Sequence, residues 1–192
     1  LQDNFLRGRP VWLDKLDLGD CIDILDRDVL CGYAEFNYRN VIHAASVASP
    51  VFYRKHPIET MDANVIGLRN LLDAQCEMRH ILGEESRFLY FSTSEIYGDP
   101  APQDIPTSED YRGNVSCTGP RACYDESKRY GETLCVNFWQ SRGLPVTIAR
   151  PFNNYGPGLK IDDGRAVPDF ARSILSDGTI TLLSDGSPTR TF

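Results

Sequence analysis

The fold is decided by a continuous apolar run that ends in polar residues, RFLYFSTSE at residues 87–95. Three other short runs resemble it: residues 21–25 (CIDIL), 40–45 (NVIHAA) and 146–150 (VTIAR). Runs of this kind are typical of strands that are buried on both faces of a parallel sheet. We therefore predict four such strands, each covered on both sides.

Helical patterns lie between these strands. Over residues 57–78 the apolar residues recur at steps of three and four, as on the buried face of a helix. A second helix is predicted over residues 121–142, because Gly143 and Pro145 provide a stop signal directly after it. Strands that alternate with helices indicate an α/β fold with a doubly wound, Rossmann-like parallel sheet.

The two ends of the sequence depart from this pattern. A dinucleotide-binding domain opens with a strand and a Gly-rich turn that approaches a pyrophosphate. The sequence contains neither G-x-G-x-x-G nor G-x-x-G-x-x-G, and residues 1–5 (LQDNF) resemble the end of a second strand. We therefore predict an N-terminally incomplete NAD-binding domain over residues 1–155. Residues 156–192 are predicted to be the start of a small substrate-binding region, incomplete at its C-terminal end.

Composition excludes several classes of protein. The 192 residues carry a net charge of −7, which argues against a nucleic-acid partner because no basic surface could neutralise phosphates. No stretch of about 18 apolar residues is present, so no transmembrane helix is predicted. The six cysteines lack the paired spacing of a metal site, and we predict no metal. Their irregular positions favour reduced thiols and a cytoplasmic setting.

Polar or small residues follow the first strands at the edge where open α/β sheets bind ligands. Asp3 is placed to accept hydrogen bonds from the adenosine ribose of a dinucleotide, and a carboxylate there favours NAD over NADP. Asp28 could accept from the adenine amino group while Val29 packs on the ring. The small side chains of Ala44 and Ala45 would let a cofactor approach the backbone. Each feature alone also suits an ordinary loop or a packed core.

A catalytic pair is predicted within the second helix. Tyr124 and Lys128 are four residues apart, so their side chains project from one face. An ammonium beside a phenol favours the phenolate, and we expect Lys128 to lower the pKa of Tyr124. Such a pair can move a proton on a sugar hydroxyl while a hydride passes to a nicotinamide.

Other polar residues end the later strands at the same edge. Thr93, Ser94 and Glu95 follow one strand, and Asn153 and Asn154 follow the next. A hydroxyl near Tyr124 could hydrogen-bond the reacting oxygen, and a carboxylate at a buried strand end needs a reason. The asparagine amides could hold a sugar phosphate or could make turn hydrogen bonds.

These stretches resemble the extended short-chain dehydrogenases/reductases of the NAD-dependent epimerase/dehydratase family. Among them the resemblance is greatest to the UDP-glucuronate decarboxylases, which make UDP-xylose. It runs over essentially the whole sequence, and it is carried by residues 3–5, 92–100, 108–111, 119–129, 163–165 and 189–192.

The resemblance implies roles for individual residues. Tyr124 would exchange the proton, and Lys128 would assist it on the nicotinamide ribose. Thr93, Ser94 and Glu95 would act at the sugar. The cofactor set is completed by Asn4 and Gly8 beside the residues named above, and the substrate set by Asn153, Asn154, Arg165 and Arg190. Arg190 would pair with the diphosphate, because a guanidinium fork suits phosphate oxygens.

Three chemistries are possible on this scaffold, and all begin with oxidation at sugar C4 by NAD. A 4-epimerase needs no additional carboxylate, so Glu95 would be idle. A 4,6-dehydratase needs an Asp-Glu pair, and here the first position is Ser94. A decarboxylase needs no such pair, because a C4 ketone makes the substrate a β-keto acid. Decarboxylation of UDP-glucuronate is therefore the preferred prediction, and a non-catalytic nucleotide-sugar binding module is the rival from another class.

Members of this superfamily commonly associate through two long helices. The corresponding segments are residues 57–78 and 121–142. The resemblance therefore implies a homodimer with two-fold symmetry.

Overall fold

The computed structural model describes residues 1–15, 22–32, 38–82, 86–156, 158–182 and 184–187. Five short strands are present in these ranges: β1 (Gln2–Asp3), β2 (Leu25–Asp26), β3 (Asn40–His43), β4 (Arg87–Phe91) and β5 (Val146–Ala149). The helices are α1 (Val11–Lys15), α2 (Pro50–Lys55), α3 (Pro57–Asp62), α4 (Leu68–Leu82), α5 (Ala122–Arg142) and α6 (Ala166–Asp177). A π-helical turn, Ala63–Gly67, joins α3 to α4.

The described strands form two parallel sheets. β1 pairs with β2, and a separate sheet has the order β3-β4-β5. Val41 lies opposite Phe88, which in turn lies opposite Val146. The α/β class with parallel, Rossmann-like strands is confirmed.

The predicted strand over residues 21–25 is largely wrong in position. Of this segment only Leu25 lies in a strand, and Cys21 falls outside the described residues. The reason is that β1, the strand that pairs with β2, has only two residues. Leu25 donates its amide to the carbonyl of Leu1, and the amino terminus of Leu1 donates to the carbonyl of Asp23. The ladder therefore ends where β1 ends. The other three strands are confirmed within one or two residues at their ends.

Burial on both faces is also wrong for β3. Val41 and His43 are buried, whereas Ile42 is 66% exposed. The buried face packs into a core with α4 and α5, in which Leu68, Leu72 and Phe138 participate. The opposite face borders a cavity between the two sheets, and Ile42 lines that cavity. Alternation in burial follows because successive side chains of a strand point to opposite faces.

The two helix predictions are confirmed, with one difference. The segment predicted over residues 57–78 runs to Leu82 and contains the π-helical turn. α5 ends at Gly143, which has a φ of +66° and donates its amide to the carbonyl of Trp139. A left-handed residue of this kind closes a helix most readily when it is glycine. The division of the chain at residues 155 and 156 remains a prediction.

Candidate functional site

The predicted catalytic pair, Tyr124 and Lys128, lies in the first turns of α5, against the carboxyl end of β4. Tyr124 is 6% and Lys128 is 2% exposed. The Lys128 Nζ donates a hydrogen bond of 2.6 Å to the carbonyl oxygen of Phe91, the last residue of β4. The same Nζ lies 5.9 Å from the centroid of the Tyr124 ring. Helical spacing therefore places both side chains on one face, as predicted, and orients both towards the end of the sheet.

The predicted lowering of the Tyr124 pKa is wrong. Burial raises the pKa of Tyr124 to about 12, although a hydrogen bond with the Thr93 side chain opposes the rise. Burial also lowers the pKa of Lys128 to about 7. Desolvation disfavours the charged form of each group, and the ammonium hydrogen-bonds to a backbone carbonyl oxygen. The phenol consequently keeps its proton at neutral pH.

Thr93, Ser94 and Glu95 occupy the edge of the sheet directly after β4. The Thr93 hydroxyl accepts a hydrogen bond from the backbone amide of Glu95 at 3.3 Å. It thereby caps the start of a short 3-10 helix, Ser94–Tyr97. The Ser94 amide donates to the carbonyl of Pro151 at 3.0 Å, which joins this turn to the segment after β5. Local hydrogen bonds thus fix the backbone that carries the three predicted residues.

An ion-pair network that the sequence did not reveal surrounds Glu95. Its carboxylate pairs with the guanidinium of Arg121, whose Nε lies 3.5 Å from Asp125 Oδ2. Burial raises the pKa of Asp125 to about 6, against the opposing effect of Arg121. Arg121 and Asp125 lie within residues 119–126 (GPRACYDE), part of the 119–129 stretch that carries the family resemblance. Their four-residue spacing is the signal that could have identified them.

Tyr53 is a second residue that sequence reasoning missed. Its ring lies 5.1 Å from the ring of Tyr124, centroid to centroid, with only 8° between the two planes. It comes from α2, far from Tyr124 along the chain. No pattern in the sequence links the two positions, so only the fold could bring them together.

The predicted adenosine side forms a cavity of about 720 Å³ between the two sheets. All seven residues that were assigned to the cofactor apart from the catalytic pair line it: Asp3, Asn4, Gly8, Asp28, Val29, Ala44 and Ala45. The amide of Asn4 donates to Asp28 Oδ2 at 2.6 Å, and Asp3 Oδ1 accepts from the amide of Phe5 at 2.7 Å.

This cavity fits the adenosine half of a dinucleotide. Its volume lies in the range of about 300–1,000 Å³ that is usual for small-molecule sites. Carboxylates at the ends of two neighbouring strands, Asp3 and Asp28, provide acceptors for hydroxyl and amino groups. The cavity wall also contains His43, which is 2% exposed and whose two ring nitrogens have no hydrogen-bond partner among the described residues. Burial and the charge of Lys128 lower the pKa of His43 to about 3.

The predicted substrate residues are not gathered at one place. Asn153 and Asn154 follow β5, and Asn154 is exposed. Arg165 lines the cofactor-side cavity, where its Nε pairs with the fully buried carboxylate of Asp163. Arg190 lies outside the described residues. The structure thus places Thr93 and Glu95 beside Tyr124 and places the predicted cofactor residues around the cavity, and the roles of all these residues remain predictions.

Fold and cavity define a Rossmann-like α/β protein with a cavity between its two sheets that is large enough for a small molecule. Residues 12–192 match the NAD dependent epimerase/dehydratase family. The chain therefore belongs to this family.

Curated relatives are similar over nearly the whole chain. UDP-glucuronic acid decarboxylase 1 of Arabidopsis thaliana is 38% identical over 190 residues, which are 99% of this chain and 42% of that protein. UDP-glucuronic acid decarboxylase 1 of Xenopus tropicalis is 38% identical over 191 residues, 99% of this chain and 43% of that protein. The chain spans less than half the length of these relatives.

Solved structures share the fold. A UDP-glucose 4-epimerase from Thermotoga maritima with UDP-glucose has a TM-score of 0.79 at 21% identity, covering 96% of this chain and 57% of its own. A UDP-glucuronic acid 4-epimerase from Bacillus cereus, in complex with UDP-glucuronic acid and NAD, has a TM-score of 0.72 at 24% identity. That match covers 98% of this chain and 58% of the epimerase. In the described parts of the chain, no helix is long and apolar enough to cross a membrane.

Proposed function

We propose that the protein containing this chain decarboxylates UDP-glucuronate to UDP-xylose through a 4-keto intermediate. The observation that carries the proposal is that similarity to UDP-glucuronic acid decarboxylases and the grouping of the predicted catalytic residues occur in the same chain. The chain is similar over almost its full length to proteins named UDP-glucuronic acid decarboxylases. Tyr124, Thr93 and Glu95, which that chemistry would use, lie within one group of interacting side chains.

The first step is oxidation at C4 of the sugar. NAD supplies the hydride acceptor when it is bound, held on the adenosine side by Asp3 and Asp28. Tyr124 takes the proton of the C4 hydroxyl, with Thr93 hydrogen-bonded beside it. Lys128, whose Nζ lies 5.9 Å from the centroid of the Tyr124 ring, stabilises the phenolate. Ligand binding must therefore overcome the raised pKa of Tyr124, for which a hydrogen bond to the reacting oxygen is the direct means.

Loss of carbon dioxide follows from the ketone. The C5–carboxyl bond breaks, its electron pair forms an enolate across C5 and C4, and the oxygen at C4 takes up the negative charge. The Tyr124 hydroxyl, protonated in the first step, donates to that oxygen. Glu95 orients the sugar and the solvent water from which C5 takes its proton, and Tyr124 gives its proton back to the C4 oxygen when the ketone is reduced. The paired guanidinium of Arg121 keeps Glu95 in place.

Product analysis tests the proposal. The natural full-length protein is incubated with UDP-glucuronate and NAD, and the products are examined by mass spectrometry. Decarboxylation yields a UDP-pentose that has lost one carbon dioxide. An unchanged mass with inversion at C4 would indicate a 4-epimerase. A product that has lost water, formed from a nucleotide hexose, would indicate a 4,6-dehydratase. Binding without any product would indicate a binding module.

We further propose that the protein is a homodimer through the segments predicted above, residues 57–78 and 121–142. Large apolar side chains are exposed along these segments: Ile58, Met61, Ile66, Tyr130, Val136 and Trp139. Burying such a surface against a second copy would remove it from water. Light scattering at micromolar concentration tests this, and a monomer would contradict it.

A cytoplasmic setting is proposed because the cysteines in the described ranges are free thiols.

A further inference from the structure

Tyr53 has properties that packing alone does not explain. Its side chain is 1% exposed, and its hydroxyl is buried without a hydrogen-bond partner among the described residues. Tyrosines that are buried usually find a partner for the hydroxyl, because an unpaired buried polar group costs free energy. Phenylalanine would fill the same space without that cost. A hydroxyl kept under these conditions indicates a ligand that completes its hydrogen bond.

The surroundings of Tyr53 identify the kind of ligand. Its ring is stacked on that of Tyr124, the residue assigned to the C4 hydroxyl. The charges that act on its phenol include those of Arg121, Asp125 and Glu95. In a uronate the carboxyl carbon is bonded to C5, the neighbour of C4. A group stacked beside the residue at C4 is therefore placed near the carboxylate of the sugar.

We propose that the Tyr53 hydroxyl donates a hydrogen bond to the carboxylate of a nucleotide-linked uronate, and thereby selects acidic sugars over neutral ones. This inference rests on the proposed function. Glu95 and Asp125 are two carboxylates that share the single positive charge of Arg121, so no cation is left over for a third carboxylate in this group. A neutral donor contributes to binding a third carboxylate without introducing another ion. Burial raises the pKa of Tyr53, so the phenol keeps its proton at neutral pH.

The test compares ligands that differ only at the group in question. The natural full-length protein and its Tyr53→Phe variant are titrated calorimetrically with UDP-glucuronate, UDP-glucose and UDP. NADH is present in place of NAD, because it cannot oxidise C4 and binding is then measured without turnover. Tyr53→Phe keeps the ring stacked on Tyr124 and removes only the hydroxyl. The matched control is Tyr130→Phe, which removes an exposed hydroxyl from the helix that carries Tyr124.

The expected result is a loss of about 10- to 100-fold in affinity for UDP-glucuronate, the usual worth of a hydrogen bond to a charged group. Affinities for UDP-glucose and UDP should stay within about twofold, and Tyr130→Phe should change none of the three. Equal losses for UDP-glucuronate and UDP-glucose would overturn the proposal, because the hydroxyl would then act elsewhere. Unchanged affinity for UDP-glucuronate would overturn it as well.

Thermal unfolding of Tyr53→Phe shows whether the substitution lowers the stability of the fold or removes only a contact with the ligand. A lowered midpoint together with weaker UDP binding would show a damaged fold and would overturn the assignment to the carboxylate. The wild-type product assay is independent of this comparison. If wild type makes no UDP-xylose but the variant still loses affinity for the uronate alone, the decarboxylase proposal fails and the role of Tyr53 stands.

Discussion

Gly131 of α5 lies directly against the hydroxyl of Tyr90 in β4. A Cβ at position 131 would stand 2.2 Å from that oxygen and 2.6 Å from the ring carbon that bears it. Tyr90 is 0% exposed, so its ring cannot move aside. This close approach brings α5 onto the sheet, one helical turn after Lys128. The glycine therefore allows the close contact between the sheet and the part of α5 that carries Tyr124 and Lys128.

Gly131→Ala is expected to destabilise the protein. Alanine in a helix interior is favoured over glycine by about 0.5–1 kcal/mol, but overpacking of a core costs about 1–3 kcal/mol. The steric cost should prevail, with a lower midpoint in urea. The control is Gly119→Ala. There the atom nearest to an added Cβ is the Oγ of Ser116, an exposed residue, at 3.3 Å. Equal stability of Gly131→Ala and wild type would show that α5 can shift on the sheet.

Tyr124→Phe is expected to cut turnover by about 100- to 10,000-fold, the usual contribution of a general acid or base. The ring and its stacking on Tyr53 remain, so the affinity for NAD, measured by fluorescence titration, should change little. Turnover near that of wild type would show that the pair is only part of the helix surface.

Lys128 predicts a pH dependence of stability. Its pKa is about 7 in the folded protein, and the ordinary value is 10.5. Between these values the unfolded chain holds the proton and the folded chain has lost it, so unfolding takes up a proton. Stability should consequently rise with pH from about 7 towards 10.5. Urea unfolding of wild type and Lys128→Met across this window should show a steeper rise in wild type, and parallel curves would contradict the lowered pKa.

Several elements of the fold could be predicted because local pattern determines them. Continuous apolar runs located β3, β4 and β5, and the stop signal at Gly143 located the end of α5. Polar residues after the strands located the edge of the sheet, since parallel strands end on the same side. Helical spacing predicted that Tyr124 and Lys128 share one face of α5, whereas their roles were implied by the family resemblance.

Other features depend on contacts between distant segments. The exposure of Ile42 reflects the cavity between the sheets, and periodicity within β3 cannot indicate what lies beside it. The sign of the Tyr124 pKa shift was mispredicted because desolvation outweighs the opposing hydrogen bond with Thr93. Tyr53 reaches Tyr124 only through the packing of α2 beside α5. Burial is a property of the folded chain, so these results required the structure.

Asp163 should be important for stability at neutral pH. Its carboxylate is fully buried and pairs with Arg7 at 2.7 Å and with Arg165. Burial alone would raise its pKa, but the hydrogen bonds from Arg165 and Arg7 prevail and lower it. The stabilisation is therefore present at neutral pH and is lost as the pH falls through the lowered pKa.

Asp163→Asn leaves two guanidinium groups without their shared partner. Breaking a buried ion pair by removing one member costs about 3–5 kcal/mol, and urea unfolding at pH 7 should show a loss of that order. The neighbouring exposed Asp162→Asn serves as the control. Equal stability of the two variants at pH 7 would contradict a structural role for the buried carboxylate.

Glu95→Gln separates the candidate chemistries. In a decarboxylase the carboxylate acts after C4 is oxidised, so the variant should still bind NAD and oxidise the sugar. Release of UDP-xylose should fall by at least about 100-fold, as expected for a positioned acid or base. Glu126→Gln, which removes an exposed carboxylate from α5, is the control and should retain activity.

Assays of wild type and both variants on UDP-glucuronate and on a nucleotide hexose complete the comparison. A 4-epimerase would tolerate Glu95→Gln, and a dehydratase would leave UDP-glucuronate untouched. Full decarboxylation by Glu95→Gln would remove Glu95 from the mechanism.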